Sequence, residues 1–376
     1  MTQLDLADTH SWKHKIALSL IPGIGPVLAR NLVSYCGSVE EIFRKKKGQL
    51  ERIPGIGEER AAMITSADVF DRAERELDFI RKHSIVPLFY LDPEYPRRLR
   101  NCDDSPVLMY YKGTADLNVP RMIAIVGTRR ITEYGKEMTD QLIQELEKHR
   151  VTIVSGLAYG IDIQAHRAAL KNNIPTIGVT AHGLDRIYPP AHRPAAEKMI
   201  RHGGILTEYP SRTIPDRENF PARNRIVAGM CDATIVIESA RQGGALITAD
   251  LANGYNRDVF ALPGRVTDSY SQGCHELIRE NKAMLISSGA DVATAMNWDV
   301  ETENSEKKIQ AQIVLFNELK PEEKLLAEIL QKNGQTDIDT LSLMARLPVS
   351  FVSSLLLNME FSGMVKMVPG KLFSLI

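Results

Sequence analysis

The chain has 376 residues, 44% of them hydrophobic and 25% charged, with 46 Lys and Arg against 47 Asp and Glu for a net charge of −1. The length exceeds one ordinary core and implies two or three domains. The even charge balance excludes a polycation, so any nucleic-acid site must come from local clustering of Lys and Arg. The four cysteines, Cys36, Cys102, Cys231 and Cys274, form no CxxC pair; that spacing argues against a zinc site or a disulfide framework and for buried free thiols in a reducing cytosol. The polar opening MTQLDLADTHSWKHK and the lack of any run of about 18 apolar residues predict a cytoplasmic protein without membrane insertion.

Residues 1–70 carry an internal repeat. IPGIG occurs at 21–25 and again at 53–57, each copy ahead of a helical stretch, PVLARNLVSY or EERAAMITSA. Helix, glycine turn, helix is a hairpin whose glycines can adopt positive φ, and a tandem pair resembles the helix-hairpin-helix (SAM-like) unit that grips DNA backbones. Gly23, Gly25, Gly55 and Gly57 are therefore candidate backbone contacts to DNA. A pure scaffolding role weighs equally, because Glu58 and Glu59 stand where a phosphate would be repelled.

From about residue 120 the texture changes. MIAIVG, VTIVSG, TIGVT, ILTEY, ATIVIES and DVFALPG read as buried strands, and amphipathic stretches such as YGKEMTDQLIQELEKH separate most of them. Regular strand–helix alternation predicts an α/β fold with a parallel, doubly wound sheet, whose ligands bind past the carboxyl ends of the strands. The glycine-rich turns fall at those ends: Gly127-Thr128, Ser155-Gly156 and Gly243-Gly244. Residues 71–296 form this domain and a polar linker spans 297–318. The segment 319–376 reads as three helices and a hairpin, a winged helix; its third helix is nearly free of Lys and Arg, which favours a protein-contact or regulatory module over a DNA reader.

Arg129 and Arg130 follow Gly127-Thr128 at a strand end, where a guanidinium beside a helix N-terminus can bind phosphate. A single glycine there cannot make the pyrophosphate approach of a dinucleotide fingerprint. Arg217, Arg223 and Arg225 lie within nine residues, interleaved with Phe220 and Asn224; cations tracking a backbone beside an aromatic face hold single strands without sequence preference. Ser155, Asp162 and His166 invite a hydrolase reading, but Asp162 and His166 share one helix face and Ser155 has no nucleophile elbow. The better account is that Asp162 caps or pairs and His166 fixes the loop. No Walker motif, HExxH or CxxC occurs, so neither a cofactor nor a metal is expected.

In order along the chain, YPRRLRNCDDSPVLMYYKG, IAIVGTRRITEYG, IVSGLAYGIDIQAHRAAL, FPARNRIVAGMCDATIVIESA and GGALITADLANGYNRDVFALPG closely resemble the DprA/Smf family across roughly residues 71–296. The resemblance implies an extended Rossmann-like domain that binds single-stranded DNA, helps load the RecA recombinase during natural transformation, forms homodimers through this domain and has no established catalytic activity. It carries the family's phosphate-side arginine onto Arg129, its basic residue three before the aromatic onto Arg217, the aromatic onto Phe220, and the FPxRNR stretch onto Arg223, Asn224 and Arg225. One departure is visible: the family's usual Ser-Gly-Ser before LITA is Gly243-Gly244-Ala245 here, so a ligand contact at that turn would rest on backbone N–H groups. The alternative is a nucleotide-processing enzyme that cleaves glycosidic bonds, for which Glu208 and Asp162 are the candidate carboxylates, although the PGGxGTxxE pattern of those hydrolases is absent.

Overall fold

The structure, a computed structural model, describes residues 9–298, 320–334, 336–362, 364–368 and 372–375. The chain divides into two compact units, residues 1–295 and 296–376. Beyond residue 298 the expected linker lies outside the described residues.

The first unit begins with six helices: α1 (Thr9–Leu20), α2 (Pro26–Cys36), α3 (Val39–Arg44), α4 (Lys47–Leu50), α5 (Gly57–Ser66) and α6 (Phe70–Lys82). The repeated IPGIG has a double role. Its isoleucines, Ile21, Ile24, Ile53 and Ile56, are buried, while Gly23 and Gly55 turn the chain at φ of 71° and 85°. A Cβ on Gly55 would come 2.9 Å from the Leu28 side chain, so the hairpins pack against each other. Arg60 donates to the Gly55 carbonyl at 2.7 Å, and Glu58 pairs with Lys47 at 2.9 Å.

Among the described residues, nine strands and eight α-helices then complete the layered part. The strands are β1 (Val86–Phe89), β2 (Leu108–Gly113), β3 (Met122–Val126), β4 (Thr152–Ser155), β5 (Thr176–Val179), β6 (Gly203–Thr207), β7 (Ala233–Val236), β8 (Asp258–Ala261) and β9 (Met284–Leu285). The helices between them are α7 (Arg97–Arg100), α8 (Glu133–Leu146), α9 (Ile161–Lys171), α10 (Arg193–Arg201), α11 (Asn219–Gly229), α12 (Gly244–Gly254), α13 (Gln272–Arg279) and α14 (Gly289–Ala295). Sheet order is β1-β2-β6-β5-β4-β3-β7-β8-β9. From β6 through β9 neighbouring strands are parallel, and β3 to β7 are buried throughout, as strands covered on both faces are, whereas the edge strand β9 is exposed.

The six expected strands, β3 to β8, are mutually parallel, and two strands that were not expected join them at one edge. β2 pairs antiparallel with β6, and β1 antiparallel with β2, which makes a mixed, Rossmann-like sheet. β1 tolerates Pro87 because it is an edge strand. Side chains on this ribbon alternate between two cores: Leu88, Met109 and Tyr111 join the central core, and Phe89, Leu108 and Tyr110 join the helical one. The helical bundle therefore packs directly on the sheet edge. The residue 70/71 boundary falls at the start of α6, whose Ala73, Leu77 and Ile80 lie in the helical core.

The second unit consists of α15 (Pro321–Asn333), β10 (Thr336–Asp337), α16 (Ile338–Ala345), α17 (Val349–Phe361), β11 (Val365–Val368) and β12 (Leu372–Leu375). Leu326, Leu330, Leu341, Val352, Leu356 and Met359 form its core. The expected three helices and hairpin are joined by a strand that was not expected: β10 pairs with β12 to give the order β10-β12-β11, all antiparallel. Among the described residues no single helix is long and apolar enough to cross a membrane.

Candidate nucleic-acid interface

The winding of the chain reverses at β3, whose neighbours are β4 on one side and β7 on the other. Loops leaving the carboxyl ends of β3, β4 and β7 diverge there and leave an open cleft of about 900 Å3, completed by α11 and the start of α12.

The turn after β3 is braced from beneath. Glu238 is 2% exposed; its main-chain oxygen accepts from Thr128 N–H at 2.8 Å, and its carboxylate accepts from Thr132 N–H at 3.1 Å and from the Thr132 hydroxyl. Thr132 also caps α8, accepting from Gly135 N–H at 3.1 Å. The loop after β4 meets this turn closely: Ile161 N–H donates to the Thr128 carbonyl at 3.1 Å. Two glycines permit the approach, since a Cβ on Gly127 would lie 2.4 Å from Ile161, and one on Gly160 would lie 2.1 Å from the Thr128 oxygen. Held this way, Arg129 and Arg130 are exposed.

Arg129 sits with its guanidinium carbon 5.2 Å from the centroid of the Phe220 ring, a cation–π geometry. Phe220 is the second residue of α11, and Tyr188 stands 6.2 Å from it, ring centroid to centroid. Arg217 is exposed at the cleft rim. Asn224 lines the cleft and donates to the Gly244 carbonyl at 3.4 Å, tying α11 to α12. Gly243 and Gly244 open α12 at the far wall.

Arg223 forms part of the floor. It is 5% exposed, donates to the Val179 carbonyl, and keeps its Nε without a partner. Gly156 leaves room for it: a Cβ there would lie 2.3 Å from both the Arg223 guanidinium and an Asp162 carboxylate oxygen. Burial raises the Asp162 pKa against the opposing pull of Arg223, and burial lowers that of Arg223 against the pull of Asp162. The cleft thus carries four arginines, Arg129, Arg130, Arg217 and Arg223, against one carboxylate, Asp162.

Two sequence candidates stand outside this cleft. Arg225 turns away and pairs with Glu208, both side chains largely buried at 13% and 17% exposure; two residues apart on a helix, Arg223 and Arg225 point to different faces. Ser155 is fully buried and donates to the Ile125 carbonyl at 2.6 Å, bracing β4 to β3. The hydrolase trio is engaged in structural contacts, with Ser155 and His166 bonded to backbone and to Thr176 and not arranged as nucleophile and base. His166 bonds through Nε2 to the Gly156 carbonyl at 2.6 Å and through Nδ1 to the Thr176 hydroxyl at 2.7 Å, and burial lowers its pKa to about 4. It fixes the loop after β4, as expected. Glu208 lies behind α11, so of the two carboxylates in the enzyme alternative only Asp162 reaches the cleft. Of the thiols, Cys102, Cys231 and Cys274 are buried, whereas Cys36 is half-buried, contrary to expectation. Sequence reasoning missed Tyr188, Gln242 and Tyr270 in the lining, because loop residues carry no periodic signal. Among the described residues no group of three or more His, Cys, Asp or Glu is placed to hold a metal ion.

Comparison with known proteins agrees with this architecture. Residues 87–297 match the family model of DNA recombination-mediator protein A, and residues 16–67 match that of the SAM-like helix-hairpin-helix tandem. The chain is 33% identical to Protein Smf of Synechocystis sp. over 94% of this chain and 96% of the relative. It is 45% identical to DNA processing protein DprA of Streptococcus pneumoniae over 54% of this chain and 71% of that one. The X-ray structure of the Streptococcus pneumoniae protein superimposes with a TM-score of 0.63 at 35% identity, covering 75% of this chain and 97% of that one. A structure of DNA processing protein A from Helicobacter pylori, described for its single-stranded DNA binding mode, matches with a TM-score of 0.52 at 32% identity, covering 57% and 96%. With the family model matched over more than half its length and relatives matched nearly end to end, the chain belongs to the DNA recombination-mediator protein A family, that of the DprA and Smf proteins.

Proposed function

We propose that this protein binds single-stranded DNA in the cleft at the carboxyl ends of β3, β4 and β7, without sequence preference. The observation that carries the proposal is the Arg129 guanidinium over the Phe220 ring in a cleft with four arginines and one carboxylate. A phosphate meets Arg129 and Arg217 while a neighbouring base stacks on Phe220 or Tyr188, and every base offers a face for that contact. Backbone N–H groups at Gly243 and Gly244, where α12 opens, add neutral donors. For Gly23, Gly25, Gly55 and Gly57 the turn geometry is the favoured role, since Glu58 and Glu59 open α5, so the proposal keeps DNA contact in the cleft.

The experiment is fluorescence anisotropy of labelled oligo-dT and its duplex with wild type and with Arg129→Ala/Arg217→Ala. Preference for the single strand is expected, lost in the variant, with a salt slope smaller by roughly 0.7 per phosphate contact removed. Equal binding by the variant refutes the assignment. We extend the proposal, on the family resemblance, to a cytoplasmic, non-enzymatic homodimer whose bound strand receives RecA recombinase, with the second unit a winged helix serving protein contact. Sedimentation tests the dimer, and RecA ATP hydrolysis on strands coated with single-strand-binding protein tests the loading.

A further inference from the structure

A second basic cavity lies away from the residues discussed so far. Arg167 and Lys171 of α9 and Lys198, Arg201 and His202 at the end of α10 line a groove of about 620 Å3 that no carboxylate enters. None of the four Lys and Arg is within ion-pairing distance of an acidic group among the described residues, and the buried Nε2 of His202 has no hydrogen-bond partner. The helix dipole accounts in part for such residues: Lys171, Lys198 and Arg201 occupy last turns, where cations are favoured. It does not account for Arg167, which is one turn further back and faces the same cavity from α9. Unpaired like charges gathered from two helices into one groove call for a polyanion.

A run of residue contacts leads from the groove toward the cleft. The groove's upper wall is formed by Ala191 and Pro194. Between these two lies His192, whose Nδ1–H donates to the Leu157 carbonyl at 2.9 Å and whose ring packs edge-on to Tyr159 at 4.9 Å between ring centroids. Tyr159, in turn, lines a small cavity with Arg129 and Phe220. Arg167 and Lys171 are separated by about 6 Å of helix rise, a spacing that suits successive phosphates of an extended strand.

We propose that the groove between α9 and α10 is an extension of the single-stranded DNA track, in which the strand leaving the cleft passes Tyr159 and lays its phosphates against Arg167, Lys171, Lys198 and Arg201. This rests on the cleft being a single-strand site. The test compares wild type, Arg167→Gln/Lys198→Gln and Arg129→Ala on oligo-dT of about six and about 25 nucleotides, with thermal melts to confirm folding. All three groove outcomes are distinct. The groove variant should match wild type on the short strand and lose roughly 3- to 30-fold on the long one, with a salt slope lower by about 1.4 for two lost contacts. If wild type and groove variant gain equally with length, the track is overturned while the cleft stands. Failure of wild type to hold the short strand removes the cleft reading and the track with it. A photocrosslinker at the strand end should mark peptides of α9 and α10 in wild type; marking elsewhere alone also overturns the proposal.

Discussion

Gly160→Ala isolates the contact on which the cleft depends. Gly160 precedes α9 at φ 81° and ψ −128°, a conformation that costs a residue with a side chain about 1–3 kcal/mol. The added Cβ would lie 2.1 Å from the Thr128 carbonyl oxygen and 2.7 Å from Arg129 Cα. Those are backbone atoms, so relief requires moving the turn that positions Arg129, for another ~1–3 kcal/mol. A total of about 2–6 kcal/mol corresponds to a melting-temperature loss on the order of 10 °C. Because the displaced atoms carry Arg129 over Phe220, single-strand affinity should also fall by about tenfold or more, although Gly160 has no side chain to offer DNA. Gly244→Ala is the control for stability: it lines the same cleft, but a Cβ there meets no protein atom within 4 Å, so melting should stay close to wild type. Thermal melts and anisotropy on the three proteins decide the matter. A Gly160→Ala protein that melts and binds like wild type refutes the argument from close approach.

Three further outcomes follow from buried groups. His166 has a folded pKa of about 4 below the unfolded value of about 6.5, so the unfolded chain binds the extra proton between them and stability falls by about 3 kcal/mol as pH drops through that window. The loss should shrink in His166→Gln melts taken at pH 7 and pH 4.5; Asp162 and Glu208, raised by burial, act with the opposite sign in both proteins and cancel in the comparison. Arg225→Met strands the Glu208 carboxylate and should cost about 3–5 kcal/mol of stability, yet leave single-strand affinity within about twofold below the melting range; a loss matching that of Arg129→Ala would place Arg225 in the cleft after all. Burial raises the pKa of all four thiols, but only Cys36 is partly exposed, so by access a thiol reagent should titrate Cys36 alone in the native protein and all four cysteines in denaturant.

The six central strands were legible because strands covered on both faces are apolar throughout, and the turns of the cleft because they follow those strands directly. β1 and β2 were not. Their residues alternate between two different cores, which erases the polar–apolar signal of a half-exposed strand. Phe220, Arg129 and Arg217 stood out by residue type and spacing. The division between Arg223 and Arg225 was available in principle, since positions two apart on α11 diverge by about 200°, but which face looks into the cleft depends on how α11 packs. For Ser155 even that guide was missing: both faces of β4 are buried, so alternation cannot say whether the hydroxyl meets ligand or backbone.

Asp162 shows how the cleft reconciles stability with binding. Arg223 is buried with one unpartnered nitrogen, and the carboxylate of Asp162 crowds the same point above Gly156. That carboxylate is the main opposing charge acting on the buried guanidinium, through proximity and not through an ion pair, and its loss leaves the guanidinium less compensated. With the carboxylate present, an arriving phosphate meets a like charge in the floor. The two demands oppose each other, so Asp162→Asn should separate them: lower melting temperature, because Arg223 loses that opposing charge, and severalfold tighter single-strand binding, because a phosphate then supplies the missing charge. Melts with and without saturating oligo-dT give both terms from one variant, and the DNA-induced rise in melting temperature should exceed that of wild type. If affinity falls together with stability, Asp162 serves to position Arg223 for the strand, and the floor of the cleft acts as a contact instead of a held reserve of positive charge.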